Sequence, residues 1–418
     1  MRISSFYRGF VVLAVAVLMA SLMVTAALYA QQTGQAKKAK PTPTPTPLAL
    51  WVVNTVGRSD ISTFAEKGLS KNTGTVASAG ISVTVEGATL NALTFNAAGN
   101  LWLAFCRGET ASGFLIELSA TELKHLATIG GGKLTNVIQD PAESTTGIPE
   151  YLTCPQSLGF DGQGNLWTET EGGTLTSGLP ALLEYTSEQL ARGKELVQSP
   201  NPTIAIETGA IQTDIDPALT FDKAGDLWLS GGVISTGNPE DEQQTIVEYT
   251  AQQLADGTGP NQTLIVADTS ISGALNGPSS IAFDANGNLW VAFALGGSSG
   301  TGGVEMFASG DLTGTGGSSP SPAITLGPNV FVDSKAFGSL TSFSNPYGLA
   351  FDNAGDLWVA NHSRQTSQSS KVGDGSIVEF TPSELTNGSS APVRGILATK
   401  KDTNLGEPIY ITFGPHLP

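Results

Sequence analysis

The chain has 418 residues, of which 50 are Gly and only 14% are charged, a balance that suits many short strands and turns rather than long surface helices. Lys and Arg number 20 against 37 Asp and Glu, for a formal net charge of −17, and so acidic a surface repels phosphate backbones and argues against nucleic-acid binding. Three histidines, His125, His362 and His416, and two cysteines exclude a His-rich or zinc-ribbon type of metal centre.

Residues 1–30 stand apart. Arg2 and Arg8 precede an apolar run from Phe10 to Ala30, which reads as a signal peptide or, since the run is long enough to span a bilayer, as an N-terminal membrane anchor. Either way the basic end stays inside and the rest is exported: secreted, periplasmic, or tethered to the outer side of the membrane through residues 10–30. Residues 31–47 form a linker, with Lys37, Lys38 and Lys40 before PTPTPTP at Pro41–Pro47. Alternating Pro and Thr favours polyproline II, a stiff spacer of roughly 20 Å.

From residue 48 one pattern repeats. LTFNAAGNLWLAFC (Leu93–Cys106), LGFDGQGNLWTET (Leu158–Thr170), LTFDKAGDLWLSG (Leu219–Gly231), IAFDANGNLWVAFA (Ile281–Ala294) and LAFDNAGDLWVANH (Leu349–His362) share an apolar run, an Asp/Gly turn and a Trp strand. A sixth copy is split between the chain ends. Trp51, Trp102, Trp167, Trp228, Trp290 and Trp358 occupy one repeat position; Phe95, Phe160, Phe221, Phe283, Phe351 and Phe413 occupy another. Such coincidence demands a shared packing role. In each turn the Asp closes an Asx turn and the Gly supplies a positive φ.

A third strand follows each Trp strand, as FLIEL, ALLEY, TIVEY, GVEMF and SIVEF from Phe114, Ala181, Thr245, Gly303 and Ser376. Capping boxes come next at Ser119/Glu122, Thr186/Gln189, Thr250/Gln253 and Thr381/Glu384, predicting one helical turn per unit. Its Leu (Leu123, Leu190, Leu254, Leu385, with Leu69 and Leu312 in matching places) seals one end of the blade. A fourth strand, such as Val393–Thr399, completes the unit.

Trp-to-Trp spacing varies from 51 to 68 residues, so the variation lies in loops. The loops that lengthen follow the Trp strand, as in His362–Gly375, or enter the next unit, as in Gly327–Asn345. In a four-stranded blade both kinds lie on one face, where a small molecule or a protein partner would bind. The chain opens with LALWVVN, a Trp strand lacking its predecessor, and ends with PIYITFG at Pro408–Gly414, a first strand lacking its follower. Pairing them removes two open edges and predicts an all-β, six-bladed β-propeller over 48–418, closed by three N-terminal strands and one C-terminal strand. Cys106 ends a Trp strand and Cys154 precedes the next first strand; a disulfide between neighbouring blades or two buried thiols are the alternatives.

The pattern P-x-G-φ-x-F-D-x-x-G-N-L-W-φ-A, best matched by Pro346-Tyr347-Gly348-Leu349-Ala350-Phe351-Asp352, resembles the NHL-type repeat. It is similar also to the blades of the gluconolactonase/regucalcin and streptogramin B lyase families. The likeness covers nearly all of 48–418 and implies propeller architecture, whereas activity must be argued from the site.

The lactonase likeness implies metal-binding side chains at the entry to the first strands. Here that position holds Asn91, Gln156, Pro217, Ser279, Tyr347 and Ile409, without a carboxylate. Asp214 and Asp216, just before Pro217, are the metal candidates, and Asn91 and Gln156 are neutral binding candidates. The lyase likeness implies an acid three residues after Trp, where this chain has Asn54, Phe105, Thr170, Gly231, Phe293 and Asn361; Glu169 falls one place early. His362 follows Asn361 and is the catalytic candidate. No Gly-x-Ser-x-Gly elbow or phosphate-binding loop occurs.

The expected function is therefore an extracytoplasmic, non-catalytic binding or scaffolding module without a cofactor. Its binding residues would be Asn54, Asn91, Gln156, Asn361 and His362. The alternative is a lactonase-like hydrolase or a lyase using His362 and one divalent cation.

Overall fold

The Trp strand is the unit from which the ring is assembled. The computed structural model describes residues 48–415 apart from stretches within the connections, among them 66–77, 124–135, 140–150 and 363–374. The expected leader and linker, 1–47, lie outside the described residues, as do Leu69, Asp214, Asp216, His125 and His416.

Six sheets, each built on four antiparallel strands, stand as six blades of one propeller; blades 2 and 4 hold a fifth strand, which in blade 4 is Ile211–Thr213 beside the Trp strand. Blade 1 runs in the order Pro408–Pro415, Leu48–Asn54, Asp60–Ala65, Ser78–Ser82. Its first strand is thus donated by the far end of the chain, with Leu50 opposite Phe413 and Trp51 opposite Thr412. Blades 2 to 6 follow in chain order. Each lays its first strand beside the Trp strand, then the third and fourth strands, so the turns between first and second strands share one face with the helical turns. The long connections share the other.

The repeated aromatics hold the blades together. Every Trp meets the Phe of the next blade edge to face: Trp51 with Phe95, Trp102 with Phe160, Trp167 with Phe221, Trp228 with Phe283, Trp290 with Phe351 and Trp358 with Phe413, at 5.0 to 6.4 Å between ring centroids. The last pair joins blade 6 to blade 1, so the aromatic circuit closes where the two chain ends pair. Each edge-to-face contact adds about 1 kcal/mol beyond the area it buries.

The turns have the expected chemistry. Asp161 Oδ1 accepts the backbone N–H groups of Gln163 and Asn165, and Asp222, Asp284 and Asp352 do the same in their blades. Gly99, Gly164, Gly225, Gly287 and Gly355 take φ of +78° to +88° to complete the reversal. The predicted capping residues close helical turns at Ser187–Leu190, Ala251–Asp256 and Pro382–Thr386, and Ser119 pairs with Glu122 in the same way. Leu123, Leu190, Leu254, Leu312 and Leu385 are buried beneath them.

Three features differ from the repeat pattern. The Gly327–Asn345 connection, read from sequence as loop, carries a hairpin of Val330–Asp333 and Gly338–Thr341. Val197–Gln198 adds to blade 2 as a fifth strand, parallel to Asn136–Gln139, and Gln198 Nε2 donates to Asn136 Oδ1 at 2.8 Å. In blade 5 the third strand Gly303–Phe307 places Met306, not Glu305, opposite Trp290, because its acid comes one residue early. The cysteines are joined: Cys106 and Cys154 form a disulfide between blades 2 and 3, with Cα atoms 4.4 Å apart.

Candidate functional site

First strands begin on the long-loop face, and there the ladder slips. The register shifts fall at Asn91, Gln156, Ser279, Tyr347 and Ile409, the variable entry position in five blades. A bulge residue leaves the pleat and is re-aimed, which is how these side chains reach beyond their own blade. Asn91 Nδ2 donates to the carbonyl of Pro155 in blade 3 at 3.2 Å, and Ser279 Oγ to that of Pro346 in blade 6 at 2.6 Å. Gln156 is half-buried at the same ring position, while Pro217 and Ile409 are buried. The entry residues therefore tie adjacent blades together.

Of the positions three residues after Trp, Asn54, Phe105, Thr170, Phe293 and Asn361 lie inside. Asn54 donates through Nδ2 to Ser62 Oγ at 2.9 Å, and Asn361 to Ser376 Oγ at 3.1 Å; both are buried. Asn361 Oδ1 also accepts the backbone N–H of Ser344. These amides satisfy the third strand and the incoming loop. Glu169, directly opposite Ser157 in the blade 3 ladder, is likewise fully buried.

His362 stands differently, at the long-loop face between blades 6 and 1. Its Nε2 lies 3.6 Å from Glu407 Oε2, with the imidazole 33% exposed and the glutamate 19%. The Tyr347 ring lies 5.0 Å from the imidazole, tilted by 36°. Its backbone N–H donates to Asn345 O, which pins the loop to the strand entry. Glu407 and Asn345 have φ of +47° and +54°, and each precedes a strand-opening proline. Cys154 and Gly277, before Pro155 and Pro278, share this left-handed entry. For Glu407 and Cys154 such a φ costs about 1 kcal/mol, held in place by the proline and the neighbouring blade. The result is a histidine with a carboxylate beside it and a tyrosine at its flank, partly open to solvent.

The opposite, turn-side face carries an acidic set that motif reading passed over. Across the ladder from Trp102, Trp167, Trp228 and Trp358 stand Glu117, Glu184, Glu248 and Glu379. Where the residue before Leu-Trp is Asn, its amide meets the acid: Asn100 Nδ2 lies 2.6 Å from Glu117 Oε1, and Asn165 Nδ2 2.9 Å from Glu184 Oε1. Where it is Asp, carboxylates crowd. In blade 6, Arg394 forks onto Glu379 with both contacts at 2.6 Å. Burial pushes the Glu379 carboxyl up to about 8, with Arg394 opposing and Asp356 and Asp352 adding to the rise. Burial and Asp352 also raise Asp356. In blade 4, Asp222, Asp226 and Glu248 each bring a carboxylate oxygen within 4.8 Å of the others, the kind of hard-oxygen set that a cation would neutralise. The signal in the sequence was the recurring Glu of the third strand, whose meaning depends on the cross-strand register.

No family model matches the chain, and no curated protein resembles it significantly in sequence. Some solved structures show a weak likeness to it. Among them are hydrazine synthase from Kuenenia stuttgartiensis (12% identity, TM-score 0.42, 85% of each chain covered) and a protein of unknown function from Dyadobacter fermentans (11%, TM-score 0.43, 78% of this chain and 87% of that one). A luciferin-regenerating enzyme is similar over 78% of this chain and 83% of its own, at 15% identity and TM-score 0.40.

Proposed function

We propose that the chain is an exported binding or scaffolding module whose long-loop face holds a small molecule or a protein partner. The observation that carries this reading is the use made of the polar groups at that face. Asn54, Asn91, Asn361 and Ser279 spend hydrogen bonds on the framework, so the mouth is braced from within and recognition falls to other groups of that face, the added hairpin among them. The apolar leader, the Pro/Thr spacer and the interblade disulfide support a place outside the cytoplasm.

A second reading rests on His362 and Glu407. A histidine held by a carboxylate at a partly open site is the arrangement of a general base, and a lactonase-like hydrolase or a lyase would use His362 in that role. Glu407 would fix the imidazole's orientation, and Tyr347 would shield one side of it.

Two measurements separate the readings. A photo-crosslinker at position 362 should capture a ligand or partner from the cell envelope, whereas one at position 224, on the turn-side face, should not. Turnover of lactones or cyclic esters that disappears in His362→Ala, with one tightly bound divalent cation per chain, would replace the binding reading with the enzymatic one.

A further inference from the structure

On the turn-side face, between blades 5 and 6, lies a groove of about 540 Å³. Its apolar floor is made by Trp290, Met306, Ile324, Phe351 and Leu385, and its polar rim includes Asp284 and Asp352. We propose that this groove binds a small organic cation with an aromatic or branched apolar body. The assignment is independent of the long-loop face.

The floor is apolar because of one register change. Blades 2, 3, 4 and 6 place Glu117, Glu184, Glu248 and Glu379 across from their Trp, and blade 5 alone places a methionine there. Asn288 donates its amide to Asp284 Oδ2 at 2.9 Å, as Asn165 does to Asp161, but finds Met306 where blade 3 has Glu184; Met306 lies half-buried beside Ile324 and Phe351. Methionine adapts its shape to irregular apolar ligands. The helical turn Pro382–Thr386 forms one wall, and the two consecutive Asp turns form the ends.

Charge selects the occupant. Among the described residues the lining holds two carboxylates and no basic side chain, on a chain of net charge −17. Asp284 and Asp352 are fixed by their turns: each accepts backbone N–H groups through Oδ1 and an indole N–H through Oδ2, 3.1 Å from Trp290 and Trp358 respectively. An ammonium or guanidinium in the groove is attracted by both carboxylates, while an anion is repelled. The volume is that of a small-ligand pocket. A second copy of this acidic chain would meet its own charge.

Tryptamine serves as the probe, titrated into the full chain at low salt, with indole-3-acetate as the same body bearing the opposite charge. The expected result is one tryptamine per chain, a shift of the Trp290 indole N–H resonance, and indole-3-acetate binding weaker by about tenfold or more. Asp352→Asn should weaken tryptamine about tenfold. The chain should still fold, because Asn96 occupies the same turn position in blade 2. Asp161→Asn, the matching change in blade 3, should leave binding unchanged. The proposal is overturned by equal affinity for the two probes, by a shift at a different indole, or by an unaltered affinity in Asp352→Asn. Binding of an apolar, Lys-rich peptide with none of tryptamine would likewise overturn it, making the groove a protein-docking surface.

Discussion

Trp358 donates its indole N–H to Oδ2 of Asp352, six residues earlier, at 3.1 Å, while Oδ1 of the same carboxylate closes the turn. Trp167, Trp228 and Trp290 repeat the arrangement with Asp161, Asp222 and Asp284. Blade 2 breaks it. Asn96 closes its turn through Oδ1, but its other terminal atom is an amide nitrogen that cannot accept, and the buried Trp102 Nε1 finds no acceptor among the described residues.

Asn96→Asp should therefore stabilise the protein by about 1 kcal/mol, since it supplies an acceptor to a buried donor, and Asp161→Asn should cost a similar amount. Urea unfolding of the two variants would show midpoints displaced in opposite directions. Equal midpoints would mean that the turn carboxylates serve the backbone alone.

A pH dependence follows from the acids of the third strands. Burial pushes the Glu305 carboxyl from 4.5 up to about 7, opposed by the Thr325 hydroxyl. Since the folded state holds this proton more tightly than the unfolded chain, its stabilising contribution is complete below about pH 4.5 and is lost as pH rises through about 7. Glu379, raised to about 8, acts in the same sense. Glu305→Gln should flatten the decline in urea midpoint between these limits. An unchanged slope would show that Glu305 gains no proton on folding.

The Cys106–Cys154 disulfide closes a sequence separation of 48 residues between two blades. Reduction, or Cys106→Ser with Cys154→Ser, should lower stability by roughly 4 kcal/mol on loop-closure grounds. The check is thermal melting with and without reductant. An unaffected melting temperature would mean that the blade 2–3 junction is held by packing alone.

Much of the architecture was legible because the repeat places like residues in like roles. Trp, Phe, turn Asp, Gly and capping pairs are local or periodic signals, and pairing LALWVVN with PIYITFG needed only the count of strands per blade. The candidate site was harder to read. Asn54 and Asn361 looked available because neither the inward aim of their strand position nor Ser62 and Ser376 across the ladder is visible along the chain. Asn91 and Ser279 occupy bulges, and a bulge redirects a side chain without any motif to announce it. Glu305 and Met306 exchange faces through a one-residue register change, which GVEMF conceals until its partner strand is known. Glu407 comes from the far end of the chain to meet His362, a contact that exists only once the ring is closed.

That closure is the central claim, and the most direct test is thermal unfolding, followed by circular dichroism, of a chain ending at Leu405. The truncation removes Pro408–Pro415, and with it the Trp358–Phe413 contact and the carbonyl of Pro415 that accepts from Trp51 Nε1 at 3.2 Å. One strand edge is reopened, that of Leu48–Asn54, and the face of blade 6 that packed on the removed strand is bared. A ring closed in this way predicts loss of cooperative melting, or a melting temperature lowered by roughly 5 °C or more, as a loss of several kcal/mol requires in a domain of this size. Melting indistinguishable from that of the intact chain would contradict a ring closed by its own ends.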